Sequence, residues 1–422
     1  MPIDPSTLTQ QQVQSALGAL IGAAVGDALG APFEFEPGGS YLERFPKAIV
    51  GGTGEMIGGG AFNWAPGEFT DDTQMALALA EAILAENGEF NPKTVWGHFV
   101  AWSKQASDIG ITTSASLRGS DYRTASKLAH EMLGRTDSNG SLMRIAPIGI
   151  AGVRWGREKT VQIAREQSDL THYESITGWS SAVAAEIIRY LILGGTLESA
   201  IEPMLQLIDS EHQAIFADIM SDGWNPADRS DCRNGKAIFC LAQALWAVRT
   251  TSSFEEAVVA AINLGDDADT VAAVTGALAG AMYGVQRIPA RWVTYVHGHV
   301  RQPDGSDRVY HQHEIIEVAH QLIGVPSRPL TAPETIIPPM QVHDVGIHAS
   351  NLLGAQTVGD EIGIISLCRM EDRLHHHAAR REFYIIDEWA QGHNPNLSSI
   401  TEDAVNAIEA FLREGREVLV HC

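Results

Sequence analysis

Two short runs of oxygen-bearing side chains have the makings of a reactive site. One is Phe69-Thr70-Asp71-Asp72-Thr73, directly before the helical pattern QMALALAEAIL. The other is Gly265-Asp266-Asp267-Ala268-Asp269-Thr270, directly before VAAVTGALAGAMYG. A threonine or aspartate at a helix start commonly accepts a free backbone N–H. One cap needs one acceptor, so capping does not explain adjacent carboxylates, which repel each other. A cation between them removes that repulsion. Asp267 and Asp269 alternate so that two carboxylates can point at one centre, with the Thr270 hydroxyl as a third oxygen. All-oxygen ligation suits hard ions, Mg²⁺ first and Mn²⁺ or Ca²⁺ next, and does not suit a closed structural zinc site. Two runs of the same chemistry, far apart in the chain and both opening apolar helices, predict one shared site.

The elements that must position these runs are helical. From about residue 10 to 324 apolar residues recur at three- and four-residue spacing. The pattern predicts helices over 12–29, 71–87, 179–193, 235–248 and 254–264, joined by Gly- and Asp-rich loops. No sustained period-2 strands and no heptads are visible there, so a large all-α domain is expected. Gly18, Gly22, Gly26 and Gly30 fall on one face of the first helix. Glycine is unfavourable inside a helix by about 1 kcal/mol, and close packing against another helix is the main explanation, with direct approach to a ligand as the other.

The pattern changes at 326–339, where Pro326, Pro329, Pro333, Pro338 and Pro339 predict an extended linker. The expected organisation is a helical domain over 1–325, the linker, and a small incomplete α/β segment over 340–422. In that segment GIISLC (363–368), FYIID (383–387) and EVLVHC (417–422) read as short strands. An amphipathic helix over 402–414 closes at Gly415.

Composition narrows the function class. The 422 residues carry 52 acidic and 29 basic side chains, a net charge of −23. That balance argues against holding a nucleic-acid backbone on a basic face. The cysteines, Cys232, Cys240, Cys368 and Cys422, form no CxxC pair, which argues against a zinc knuckle or disulfide framework. The polar N-terminus shows no signal-peptide pattern, and no run of 18 uninterrupted apolar residues occurs. A cytoplasmic protein with no membrane partner is expected.

At several places the chain resembles the ADP-ribosylglycohydrolase family, typified by the dinitrogenase-reductase-activating glycohydrolase. GDALGAPFEF (26–35) resembles the family's opening helix and its acidic residue. FTDDTQMAL (69–77) and LGDDADTVAAVTGALAGAMYG (264–284) resemble its two metal motifs. DIGITT (108–113), NGSLMRIAPIG (139–149) and TH (171–172) resemble segments lining its substrate cleft. Asp266 stands where the family often has glycine. The resemblance implies an all-α orthogonal bundle with two Mg²⁺ ions, Mn²⁺ being an alternative, at the base of a cleft. It implies Thr70, Asp71, Asp72, Asp267, Asp269 and Thr270 as metal ligands. Glu34 would lie beside the metals and Asp108 near the scissile ribose, both as catalytic candidates. Asn139, Gly140, Ser141 and His172 would contact ADP-ribose. The implied reaction is hydrolysis of the glycosidic bond joining ADP-ribose to a modified protein, with arginine the favoured linkage from DIGITT. Glu34 and Asp108 remain open as general acid or base. A binding protein that kept the fold without catalysis is the alternative.

Residues 340–422 resemble the front half of a dual-specificity phosphatase. The matching pieces are ISLC (365–368), FYIIDE (383–388), NL (396–397) and VLVHC (418–422). The resemblance implies Cys422 as the nucleophile and Asp387 as the general acid. That chemistry also needs a loop of backbone amides and an arginine after the cysteine. The sequence stops at the cysteine, so phosphatase activity regulated by the helical domain is the weaker reading. HHH at 375–377, beside Arg373 and Arg380, reads as a solvated polar turn.

Overall fold

The computed structural model describes residues 2–327, 335–368, 373–386 and 393–422. Its axis is the first helix, Gln10–Gly30. Thr9 caps this helix, its hydroxyl accepting from Gln12 N while the Gln12 side chain accepts from Thr9 N. Every residue from Val13 to Gly30 is buried, so the helix is apolar on all sides, as a central helix must be. By length and composition Gln10–Phe33 could cross a membrane, but its apolar window lies wholly inside the protein. Asp27 is the only charged residue of this helix. A carboxylate there needs dedicated partners.

The four glycines do share a face, and that face meets the Ala268–Tyr283 helix, which follows the second acidic run. A Cβ on Gly22 or Gly26 would fall on the carbonyl of Gly276 or Ala272. One on Gly30 would stand 2.5 Å from the Asp269 Cα. The two backbones touch, which is why the positions are glycine. Around this pair pack the helices Asp71–Ala85, Ala146–Trp155, Ser175–Ile192, Ala237–Thr250, Phe254–Ile262 and Gln312–Ile323. The expected helices are all present, with ends shifted by a few residues.

One expectation fails inside the helical body. Strands β1 (His297–Arg301) and β2 (Asp307–His311) form an antiparallel hairpin where no strands were expected. Only one face of it is covered, through Val300 and Tyr310, so the apolar alternation is too sparse to register in the sequence. The hairpin is not ornamental. Phe69 N donates to His297 O at 3.0 Å and His297 N to Gly67 O at 3.0 Å, which fixes the loop entering the first acidic run.

The C-terminal unit is a five-stranded sheet in the order β3-β4-β7-β5-β6. Its strands are β3 (Met340–His343), β4 (Ile347–Ser350), β5 (Ile362–Ser366), β6 (Arg380–Glu382) and β7 (Glu417–His421). The last four are parallel, and β3 runs antiparallel at the edge. The helix Leu397–Arg413 covers one face through Ile400, Ala407 and Phe411, while Leu352, Ala355 and Leu374 cover the other. Strand β6 ends before Phe383, so residues 383–386 of the expected strand are not in it. Arg380, Arg381 and Glu382 form it, and they are buried because they dock onto the helical body. Arg381 donates to Val50 O at 2.6 Å and to Tyr295 Oη at 2.9 Å. Arg380 donates to Thr294 O at 3.1 Å, and Tyr295 Oη donates to Ala378 O at 3.0 Å. The histidine run is only partly a solvated turn: His375 and His376 are exposed, but His377 is buried with Nε2 3.0 Å from Gly359 O. Cys422 follows β7 at the carboxyl end of the parallel strands and is exposed. Asp387 lies outside the described residues.

Candidate active site

Each acidic run is placed by a different device. In the first, Thr70 is the N-cap of the Asp71–Ala85 helix, its hydroxyl accepting from Asp72 N. The capping explanation therefore holds for Thr70. It leaves Asp71 and Asp72 unexplained, and both are buried. The run is pinned from below by Asp27. Its carboxylate accepts from Thr70 N at 3.1 Å, from Thr73 N at 3.0 Å and from the Thr73 hydroxyl at 2.5 Å. The sequence reading did not single out Asp27 or Thr73. The available signal was a lone carboxylate within an otherwise uncharged helix.

In the second run Asp267 is the N-cap of the Ala268–Tyr283 helix, but its side chain makes no capping bond. Asn139 and Asn234 hold it instead. Asn139 Nδ2 donates to Asp267 Oδ2 at 2.9 Å, and Asn234 Oδ1 accepts from Asp267 N at 3.2 Å. Asp266 has φ +54°, a left-handed conformation that glycine adopts freely. That explains a preference for glycine at this position. Phe35, next to Glu34, has φ +67°. The two strained residues are clasped: Phe35 N donates to Asp266 O at 2.6 Å, and Asp266 N to Glu36 O at 2.9 Å. Glu34 is thereby tied to the second run.

The two runs converge on Asp72. Its Oδ2 receives the Thr70 hydroxyl at 3.5 Å and the Thr270 hydroxyl at 3.3 Å, one from each run. Among the described residues its Oδ1 has no hydrogen-bond partner, nor do Asp269 Oδ1 and Glu34 Oε2, although all three oxygens are buried. Glu34, Asp267 and Asp269 each offer an oxygen within 4.8 Å of the others. Buried carboxylate oxygens without donors are rarely left so. Uncompensated like charges at this spacing call for a cation, and the all-oxygen donor set fits a hard divalent one.

The electrostatics agree. Burial, and then the neighbouring carboxylates, push Asp71, Asp72 and Asp269 well above the ordinary carboxylate range. Burial, then Asp108, Asp267 and Asp27, raises Glu34 to about 8. Burial and Asp267 raise Asp108 to about 6, against hydrogen bonds from Ile109 N and Asp71 that lower it. A protein without a cation here would hold several of these groups protonated at neutral pH.

A cleft of about 620 Å³ opens over this cluster. Of the residues expected in the site, Glu34, Asp71, Asp72, Asp108, Asn139, Gly140, Asp267, Asp269 and Thr270 line it. Thr70, Ser141 and His172 do not. Thr70 and Ser141 are fully buried, and the Ser141 hydroxyl bonds to Ser168 at 2.7 Å. His172 is fully buried beneath Gly140, where a Cβ would stand 3.2 Å from its Cε1. Phe35, Ile111 and Met143, from the segments 26–35, 108–113 and 139–149, add apolar surface, while Arg135, Arg233 and Lys236 add cations that the sequence did not mark. Scattered single cations in a strongly acidic chain carry no pattern that marks them as cleft residues.

The comparisons with known proteins cover the same part of the chain. A sequence model of the ADP-ribosylglycohydrolase family matches residues 8–328. An ADP-ribosylarginine hydrolase, Tri1, of Serratia proteamaculans (strain 568) is 33% identical over 320 residues, covering 74% of this chain and 80% of that protein. The ADP-ribosyl-[dinitrogen reductase] glycohydrolase of Rhodospirillum rubrum is 28% identical over 280 residues, covering 66% of this chain and 89% of that protein. A solved chain described as an ADP-ribosylglycohydrolase-related protein complex superposes with a TM-score of 0.58 at 31% identity, covering 75% of this chain and 99% of its own. The matched region holds both acidic runs and the whole cleft and stops short of the C-terminal sheet. This chain belongs to the ADP-ribosylglycohydrolase family, and it is a glycosidic-bond hydrolase.

Proposed function

We propose that the protein is a magnesium-dependent hydrolase that removes ADP-ribose from arginine side chains of modified proteins. The observation that carries this reading is the convergence of Glu34, Asp72 and Asp269 oxygens, buried and without donors, at the floor of one cleft. Thr70, Asp71, Asp72, Asp267, Asp269 and Thr270 would hold two Mg²⁺ ions, with Mn²⁺ as a substitute. When bound, such ions supply a template for sugar hydroxyls and an acidified water. The arginine linkage is supported by the 33% identity to an ADP-ribosylarginine hydrolase.

The residues themselves do the rest. Glycoside hydrolysis passes through an oxocarbenium-like state and needs a group to move a proton on each side of the bond. Glu34 and Asp108 both face the cleft. Glu34 shares a cation-sized cluster with Asp267 and Asp269, so a positive charge there favours its ionised form. Asp108 stands outside that cluster, and burial and then Asp267 raise it to about 6 when no cation is bound, a direction that suits a group that takes and returns a proton near neutrality. Asn139 fixes the Asp267 carboxylate, and Asp27 fixes the loop carrying Asp71 and Asp72. Phe35 and Ile111, both exposed at the cleft, offer apolar surface to an aglycone or base.

The test is release of free ADP-ribose from arginine- and serine-modified proteins, with and without Mg²⁺. The arginine substrate is expected to be cleaved, and EDTA or the double substitution Asp267→Ala, Asp269→Ala to abolish release. Full hydrolysis by the EDTA-treated protein or by the double variant would refute the mechanism. Binding of ADP-ribose without turnover on either substrate would favour a reader.

A further inference from the structure

Arg144 is fully buried, yet it makes no ion pair among the described residues. Its Nε donates to Gln167 Oε1 at 2.9 Å, and its Nη1 faces Met75 Sδ at 3.6 Å. Its Nη2 donates to Gln167 O at 3.1 Å and to Thr171 Oγ1 at 2.8 Å. The guanidinium lies 4.3 Å over the Phe99 ring. Burial lowers its pKa to about 9, and only the Asp71 charge, beyond ion-pair distance, offsets part of that cost. Burying a cation without a direct carboxylate partner is expensive, so its position calls for an explanation beyond packing.

Arginine has only donors, and that sets a direction. Thr171 Oγ1 must accept from Arg144. Its single proton then goes to its other partner, His172 Nδ1, at 2.8 Å. Nδ1 is left without hydrogen. His172 is neutral, because burial and the nearby Arg144 charge hold its pKa well below the ordinary value. A neutral imidazole with a bare Nδ1 carries its proton on Nε2, which stands 2.9 Å from Ser138 Oγ. Ser138 accepts there and donates to Thr112 Oγ1 at 3.0 Å. The Thr112 hydroxyl makes no further hydrogen bond among the described residues, and both Ser138 and Thr112 line the cleft.

We propose that Arg144 is a positioning residue which, through Thr171, His172 and Ser138, turns the Thr112 hydroxyl outward as a hydrogen-bond donor to an anionic phosphate oxygen of ADP-ribose. The ligand rests on the function proposed above; the relay does not. Four hydrogen bonds run head to tail from a fixed positive charge, so each polarises the next. The chain delivers donor character into a cleft floor that is otherwise rich in carboxylates, where a diphosphate needs donors most. His172 acts here from beneath the site, as an orienting group rather than a direct contact.

The experiment uses the full chain. Long-range ¹H–¹⁵N spectra of the histidine side chains, assigned by comparison with His172→Gln, are expected to show His172 as the Nε2–H tautomer at neutral pH. An Nδ1–H tautomer or an imidazolium would overturn the relay without reference to any substrate. Calorimetric titration with ADP-ribose is expected to show Thr112→Val binding about tenfold more weakly and Thr112→Ser close to wild type, as loss of one hydrogen bond to a charged group implies. Unchanged binding by Thr112→Val would overturn the proposal. Arg144→Met is expected to mix the His172 tautomers and weaken ADP-ribose binding, and a purely structural arginine would leave the tautomer alone. If that variant does not fold, Ser138→Ala takes its place, with the same weakening expected and wild-type affinity refuting. If the wild type binds no ADP-ribose, the proposed function and the ligand of Thr112 fall together, while the tautomer still decides the relay.

Discussion

Gly30→Ala separates stability from function more sharply than removing a ligand would. Gly30 has φ −77° and ψ −33°, so alanine fits its backbone. In open surroundings the change would stabilise the helix by about 0.5–1 kcal/mol. Here the new Cβ would stand 2.5 Å from Asp269 Cα and 2.9 Å from Asp269 N. Carbon atoms in contact need about 3.5–4.0 Å, so the second acidic run must move by about 1 Å. Overpacking of this kind costs about 1–3 kcal/mol. Subtracting the helical gain leaves a net loss of about 0–2.5 kcal/mol, which the fold tolerates. Under the proposed magnesium dependence the functional loss is larger. Magnesium demands near-ideal geometry at about 2.0–2.1 Å, and a misplacement of about 1 Å in a working site costs on the order of 100-fold in rate. Gly97→Ala is the control, since Gly97 lies in the Pro92–Trp102 helix with open space where its Cβ would go. It is expected to stabilise slightly and leave activity alone. Chemical denaturation, Mg²⁺ titration and turnover would be measured on both variants. A Gly30→Ala protein with wild-type metal affinity and turnover would show that Asp269 is not held by this backbone contact.

Two further outcomes are expected. Without divalent ions, stability should fall as pH rises from about 5 to 8. The folded protein keeps a proton on Glu34 up to about 8 and on Asp27 and Asp108 up to about 6, whereas the unfolded chain releases them near 4, so folding is opposed across that window. Added Mg²⁺ should flatten the slope, and a metal-free melting temperature that climbs over the same range would contradict the buried-acid cluster. Tyr295→Phe removes the hydroxyl that donates to Ala378 O and Arg380 O and accepts from Arg381. A loss of about 1–3 kcal/mol is expected, seen as faster hydrogen exchange in β6 with turnover preserved; unchanged exchange would mean that this hydroxyl does not hold the sheet to the helical body.

The helical body was legible because its signals are local. Apolar periodicity marked the helices, and carboxylate pairs at two helix starts marked the acidic cluster at the cleft floor. The glycine face was legible as close packing, though its partner helix was not, since contact between distant segments leaves no mark in either alone. What sequence could not supply was the division of labour within motifs. Thr70 caps while Asp72 collects both threonine hydroxyls. Asn139 spends its amide on Asp267, and Ser141 and His172 sit under the floor. Asp27 and Arg144 were missed because their partners are backbone amides, hydroxyls and an amide carbonyl, which pair with anything. The β1–β2 hairpin was missed because it has one covered face and polar residues elsewhere.

The clasp between Phe35 and Asp266 joins two loops that the sequence separates widely. Neither loop can swing away without breaking both backbone hydrogen bonds and releasing two left-handed residues. Work done on one loop therefore arrives at the other. A cation held among Asp267 and Asp269 would also stiffen the ledge on which Phe35 meets the cleft. Thermodynamic linkage makes the traffic two-way: whatever factor the ion adds to the grip on a molecule against Phe35, that molecule returns to the grip on the ion. Binding of an ion and binding of such a molecule would then be reciprocally coupled.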